Sequence, residues 1–279
     1  MPEGIVLITG VSTGLGRAFA KACLDADYTV VGTVRKSEQV AEFEALRSGK
    51  SFARVLDVTD ETHIPVVVKN IEDKLGPIYA LINNAGYGHE GILEESPLSE
   101  LREQFEVNVF GAVAMMQAVL RFMRQRRCGR IVNVTSMGGL MTMPGISFYH
   151  GSKFVLEGIS SSLGKEVKSF GIFATALEPG GFRTDWAERS MVRSFRKIGD
   201  YDAVMEPLRA NRMARDGNQP GDPAKAGLAV VKLLDAKTPP AHLLLGNDAL
   251  EYVTKDLDAL RDEFRQWEDV SKSTNFDLG

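Results

Sequence analysis

Short apolar runs rich in β-branched residues alternate with helix-forming stretches through most of this chain, and that alternation leaves few ways to fold it. Runs at 5–9, 28–34, 51–58, 78–82, 131–135 and 172–177, with a shorter one at 242–245, read as strands. Helix-forming stretches at 17–26, 38–46, 65–75, 94–123, 149–169 and 224–234 lie between them. A strand followed at once by a helix cannot make a hairpin. Its partner returns in parallel through the helical crossover. The expected fold is α/β: one domain over 1–279, a doubly wound parallel seven-stranded sheet with helices on both faces. The alternation breaks at 185–221, which is polar and rich in Met and Arg. An insertion just past a strand's C-terminal end is placed to cover a site, so 185–221 is expected as a substrate lid. The alternative is a surface excursion without ligand contact.

In such sheets, ligands sit beyond the C-terminal ends of the strands, and the candidate residues collect there. The first strand ends in TGVSTGLG, with Gly10, Gly14 and Gly16, and a helix follows. Small residues let the backbone approach a phosphate, and the helix N-terminus supplies unpaired N–H groups. The spacing is neither G-x-G-x-x-G nor a P-loop, and by itself it also describes an ordinary tight turn. After the second strand come Arg35 and Lys36 where an NAD site often has an acid. Two cations suit a ribose carrying a 2′-phosphate, favouring NADP(H) over NAD(H). Asp57 ends the third strand and Asn83-Asn84-Ala85-Gly86 the fourth, so the sheet expected is Rossmann-like.

The fifth strand ends at Ser136. The stretch SMGGLMTMPGISFYHGSK then carries Tyr149 and Lys153, four residues apart. On a helix that spacing puts both side chains on one face. An ammonium beside a phenol favours the phenolate and makes it a proton donor and acceptor. The spacing alone is equally that of a surface pair. The helical region before Ser136 contains a mid-helix Asn108, a residue type that there bonds locally or faces solvent.

Composition removes other classes. Of 279 residues 44% are hydrophobic, enough for a large core, and the net charge of −4 gives no electrostatic case for nucleic acid or an anionic membrane. Arg121, Arg124, Arg126, Arg127 and Arg130 read as cations at a helix end that Gly129 terminates. Two cysteines, Cys23 and Cys128, do not make a disulfide framework and suit a reducing, cytoplasmic setting. Neither a basic leader nor an apolar run of about 18 residues is read in the chain. None of His63, His89, His150 and His242 has a clustered partner in sequence, so no metal site is expected.

The ordered set TGVSTGLG, Asp57-Val58, NNAG, Asn108, Ser136, YHGSK and PGGFRT resembles the short-chain dehydrogenase/reductase family. The flanks NNAGYG, VNVFGA and EPGGFRTDW resemble the subgroup related to 17β-hydroxysteroid dehydrogenases. The resemblance implies an oxidoreductase moving a hydride between NADP(H) and a carbonyl or secondary alcohol. Tyr149 would be the general acid/base, with Lys153 binding the nicotinamide ribose and lowering the phenol's proton affinity. Ser136 would bond the substrate oxygen, and Asn108 would hold a water linking Lys153 to solvent. Gly10, Ser12, Thr13, Gly14, Leu15 and Gly16 would hold the pyrophosphate. Asp57 and Val58 would meet the adenine, and Asn84, Ala85 and Gly86 the adenosine side. Pro179, Gly180, Phe182 and Thr184 would position the nicotinamide. Met143, Gly181 and Trp186 would join Ser136 and Tyr149 against the substrate. His150 departs from the small or apolar residue common there. The family is often a homodimer or homotetramer through the two helices flanking Ser136, with Ser160, Ser161 and Ser162 offering close packing. An NAD-linked alcohol dehydrogenase and a non-catalytic NADP(H) sensor are the alternatives.

Overall fold

The computed structural model describes residues 4–186, 189–215 and 217–276, so residues 187, 188 and 216 of the expected lid lie outside the description. The chain runs β1 (Ile5–Ile8), α1 (Gly14–Asp25), β2 (Thr29–Val34), α2 (Val40–Glu44), β3 (Ser51–Val55), α3 (Ile64–Lys74), β4 (Ile78–Asn83) and β5 (Gly88–Glu90). It continues through α4 (Leu98–Phe105), α5 (Ala112–Arg126), β6 (Gly129–Val134), α6 (Ser147–Val167), β7 (Ile172–Pro179) and β8 (Met191–Arg193). It closes with α7 (Asp202–Arg215), α8 (Pro223–Asp235), β9 (His242–Leu245), α9 (Asn247–Gln266) and α10 (Glu268–Lys272).

Seven strands form one parallel sheet in the order β3-β2-β1-β4-β6-β7-β9. Period-two alternation explains why β1 is apolar throughout: Ile5 and Leu7 enter one core, Val6 and Ile8 the other. Against the first face pack Ile64, Val68 and Ile71 of α3, Met115, Val119 and Met123 of α5, and Leu156 and Leu163 of α6. Against the second pack Phe19 and Cys23 of α1, Phe43 of α2, and Val230 and Leu234 of α8. Each large buried side chain contributes about 1.5–3 kcal/mol relative to exposure. This doubly wound sheet is the architecture expected from the alternation.

Several local expectations change. The helix before β6 ends at Arg126, with Arg127 at φ 54° as its left-handed cap, and Gly129 instead opens β6. The arginines there are bound at home: Arg126 grips Glu72 at 2.6 and 2.9 Å, and Arg130 stacks on Phe173 at 4.6 Å. The helical run 98–126 is long and apolar enough to cross a membrane, contrary to the reading that no such run exists. Its Met115, Val119 and Met123 are fully buried against the sheet, as in a core helix. Segment 185–221 is not merely weak helix: β8 pairs in parallel with β5, making a second, two-stranded sheet. Beyond α9 the chain goes directly into the short helix α10.

Candidate active site

The C-terminal ends of β1, β2, β4, β6 and β7 carry the candidate residues to one edge of the sheet. After β1, Gly10 and Gly14 adopt φ of 70° and 59°, a region that favours glycine. A Cβ on Gly16 would stand 2.3 Å from the Gly10 carbonyl oxygen and 2.4 Å from Asn84 Nδ2, so only glycine lets α1 start this close to the turn. Asn84 pins that turn: its amide donates to the carbonyls of Thr9 (3.0 Å) and Gly10 (2.9 Å). The Asn84 and Ala85 N–H groups donate to Thr9 Oγ1 at 2.9 and 3.0 Å. Asn84 is thus a brace of the glycine turn as well as a candidate cofactor contact. Thr13 is the N-cap of α1 but its hydroxyl does not cap the helix, and Ser12 and Leu15 flank it half-buried. First-turn N–H groups left without a side-chain acceptor form a seat for phosphate.

Arg35 and Lys36 stand exposed just past β2. Asp57 is exposed and closes a local turn by accepting from Thr59 N (3.0 Å) and Oγ1 (2.8 Å), with Val58 buried beside it. Pro179 ends β7 and is followed by Gly180, whose N–H donates to Leu245 O (2.9 Å), and by Gly181. Phe182 bridges to Gly221. Thr184 reaches the glycine turn, its Cβ 3.9 Å from where a Gly14 Cβ would stand. A pinned glycine turn, an uncapped helix start and two exposed cations at the next strand end fit a phosphorylated dinucleotide.

Ser136, Tyr149 and Lys153 come together across the ends of β6 and α6, each at most 8% exposed. Ser136 Oγ accepts from Gly138 N at 3.0 Å, and the hydroxyl meets the Tyr149 phenol as a hydrogen-bond partner. Lys153 Nζ lies 5.7 Å from the Tyr149 ring centre and donates to the Val134 carbonyl at 2.9 Å. Burial pushes the phenol up to about 12, against the favourable contact from Ser136. Burial likewise pulls the ammonium down to about 8, against the attraction of Glu157. In both groups burial is the leading cause of the shift.

Asn108 belongs to the same cluster. It sits in a π-helical turn, Glu106–Gly111, between α4 and α5. Its Oδ1 accepts from Tyr87 N (3.1 Å), and its Nδ2 donates to Tyr87 O (3.0 Å) and Ser152 Oγ (3.1 Å). The side chain is committed to protein partners. A Cβ on Gly86 would lie 3.0 Å from Asn108 Oδ1 and 3.7 Å from Lys153 Nζ, so all three residues meet.

Four further residues shape the site. His150 is buried: its Nδ1–H donates to Gly138 O (2.6 Å) and its Nε2 accepts from Met143 N (3.0 Å). Trp186 lies over Tyr149, ring centres 5.3 Å apart and planes at 59°. Asp248 Oδ2 accepts the Gly181 N–H at 2.7 Å. Glu90, 2% exposed, receives Arg209 (2.7 Å) and Arg212 (2.5 Å) from α7. Burial alone would raise its carboxyl; the two guanidinium groups overcome this and hold it below the usual range. His150 carried a signal in sequence as the odd residue between Tyr149 and Lys153, and Trp186 as an expected substrate contact; Asp248 and Glu90 carried none.

The reading that no histidine has a clustered partner is also overturned. His89 Nε2 meets Glu100 Oε2 at 2.7 Å, and His242 Nδ1 meets Glu178 Oε1 at 2.7 Å. These partners come from other elements, which spacing could not reveal. Ser160 faces inward, accepting from Asn133 Nδ2 at 2.8 Å, rather than outward toward another subunit.

A family model described as short chain dehydrogenase matches residues 4–192. Oxidoreductase BOA17 of Botryotinia fuckeliana is 38% identical over 270 residues, 96% of this chain and 97% of that protein. The 3-ketodihydrosphingosine reductase of Bacteroides thetaiotaomicron is 36% identical over 250 residues, covering 88% and 89%. A short-chain dehydrogenase from Streptomyces avermitilis superposes with a TM-score of 0.91 at 38% identity, covering 98% and 100%. ElxO, solved with NADP bound, gives 0.75 at 25%, covering 90% and 100%. With a matching family model over two thirds of its length and relatives alike over nearly their whole length in sequence and fold, the chain belongs to the short-chain dehydrogenase/reductase family and is an oxidoreductase.

Proposed function

We propose that this protein reduces a ketone borne on an apolar chain, using NADPH. The observation that carries the reading is the buried Ser136–Tyr149–Lys153 set beside an uncapped helix start. When bound, NADP(H) supplies or accepts the hydride. The chain's own part is to position, to move a proton and to exclude water. Ser136 and Tyr149 offer two hydroxyl groups to a carbonyl oxygen as negative charge grows on it. A phenol held near 12 stays protonated at neutral pH and is a donor in the reducing direction. Lys153, fixed to Val134 O, keeps its charge beside the phenolate left after transfer. Trp186 covers Tyr149 and shields it from solvent.

Arg35 and Lys36 support the 2′-phosphorylated cofactor, as does the likeness to ElxO with NADP bound. For the substrate, a groove of about 380 Å³ runs beside the loop after Ser136, lined by Ile92, Leu93, Met143, Pro144 and Tyr201. It is not bordered by Tyr149 itself, so it suits the tail of a substrate rather than its carbonyl. The Bacteroides relative is named for a 3-keto lipid, and a long-chain 3-oxo compound fits this division. We infer also that Phe110, Phe154 and Val155, exposed along the π-turn and α6, pair with a second copy of the chain.

The test is NADPH oxidation across 3-oxo compounds of increasing chain length. Each buried methylene contributes about 0.8 kcal/mol, so kcat/KM should rise about fourfold per carbon until the groove is filled. A rate independent of chain length sinks the substrate assignment, and failure to oxidise NADPH with any carbonyl sinks the reaction.

A further inference from the structure

One cluster of metal-ligating side chains lies behind the reaction centre and is not used by the chemistry above. Glu157 projects from α6, one helical turn beyond Lys153. Glu178 comes from β7, just before the loop that starts at Pro179, and His242 is the first residue of β9. His242 Nδ1 stands 2.7 Å from Glu178 Oε1 and 3.4 Å from Glu157 Oε2. The three ligand atoms all lie within 4.8 Å of one another.

Both carboxylate side chains are buried, at 6% and 0% exposure, while the imidazole is 46% exposed. Among the described residues no hydrogen bond is completed to either oxygen of Glu157 or to Oε2 of Glu178, and the nearest ring nitrogen, His242 Nδ1, is shared between the two carboxyl groups. Thr135 lies beside Glu157, but its hydroxyl donates to the Leu177 carbonyl at 3.0 Å. Two buried carboxylates side by side are costly unless something positive stands between them. One half-exposed imidazole does not balance two buried carboxylates.

We propose that Glu157, Glu178 and His242 form a binding site for one divalent first-row transition cation, with zinc the best match. Ligands about 2.0–2.2 Å from such an ion stand ~3–3.5 Å apart, and the observed separations bracket that range, so side-chain adjustment closes the site. The imidazole selects against magnesium and calcium, and without a thiolate the donor set suits zinc or manganese. His242 Nε2 lies 3.3 Å from Ser161 Oγ, a partner that orients the ring with Nδ1 inward. The exposed side of His242 supplies the entry path and leaves coordination positions for water. The ion ties α6, which carries Tyr149 and Lys153, to β7 and β9. Its role is to fix the floor of the site, not to act on substrate.

The test is calorimetric titration of chelator-stripped protein with zinc chloride at neutral pH, alongside melting curves. One ion per chain should bind in the micromolar range or tighter, and the melting temperature should climb with zinc concentration. His242→Ala alters a half-exposed edge residue and should weaken binding by about tenfold or more. Glu178→Gln should do the same, while its zinc-free form melts no lower than the zinc-free wild type, a buried charge having been removed. Absence of zinc binding in the folded wild type overturns the proposal and leaves a proton shared between the carboxyls. Equal zinc affinity in His242→Ala also overturns it.

Discussion

The His150 ring donates to the Gly138 carbonyl across 2.6 Å, while its other nitrogen accepts the Met143 N–H across 3.0 Å. One side chain on the helix of Tyr149 therefore braces the loop that begins at Ser136. This arrangement needs the neutral ring, because a protonated imidazole has no acceptor for Met143. Burial holds the ring below its usual pKa. A histidine depressed in the fold contributes stability that is complete above the unfolded value of about 6.5 and is lost as the pH falls through the lower folded value. His150→Ala should cost about 1–3 kcal/mol at neutral pH, lower kcat with NADPH affinity kept, and reduce the acid-side loss of stability. Urea unfolding at stepped pH values checks all but the kinetics; an unchanged acid limb would contradict the brace.

Tyr149→Phe removes the proton donor while keeping the ring under Trp186. Turnover should fall by about 10²–10⁴, with NADPH binding, followed by fluorescence titration, largely intact. Near-normal turnover in this variant would remove Tyr149 from the mechanism.

Lys153 presents the opposite balance. Its folded pKa of about 8, against an ordinary value of 10.5, means the fold holds fewer protons there than the unfolded chain. Stability should rise with pH between those two values, by up to about 3 kcal/mol. Lys153→Met should be inactive and should lack that rise, although its Val134 carbonyl loses a donor. Parallel denaturant curves for the two proteins across the alkaline range measure it; identical slopes would show that the ammonium carries no burial penalty.

Arg35→Ala should cut the preference for NADPH over NADH by about tenfold, through loss of a charge-assisted contact to the 2′-phosphate. The readout is the ratio of kcat/KM with the two cofactors. If that ratio is unmoved, the cations past β2 do not read the phosphate.

Glu90→Gln leaves Arg209 and Arg212 facing a neutral amide. The expected loss is about 1–3 kcal/mol, less than for a fully enclosed pair because both guanidinium groups are about a quarter exposed. Limited proteolysis should cut within 189–215 faster, and KM for substrate should rise while NADPH affinity holds. Unaltered protease resistance would show that α7 is held by other contacts.

The sheet was legible in sequence because both faces of β1, β4 and β6 are buried, so their apolar runs are continuous; the order in which the strands pair was not, since the same alternation serves more than one doubly wound order. Tyr149 and Lys153 were legible because helical spacing is local. The π-turn at Asn108 was not, since nothing in EVNVFG distinguishes it from α-helix. Strands β5 and β8 have three residues each, too few to show a period, and pair across a hundred positions. The clustering of His242 with Glu157 and Glu178 depends on three elements converging, information that no window of sequence contains. The proton affinities of Tyr149 and Lys153 depend on depth of burial, which spacing does not report.

Asp248 has a practical meaning for anyone wishing to alter what this protein accepts. Its carboxylate holds the Gly181 N–H from the first turn of α9, so the hinge of the segment above Tyr149 is braced from near the far end of the chain. Residues 185–221 are therefore not an exchangeable cassette. A chimera that imports them from a relative but keeps this chain's α9 joins a foreign cover to a native brace. The natural unit of exchange runs from Gly180 through α9, and swaps drawn at that boundary should keep the hinge registered where shorter ones lose it.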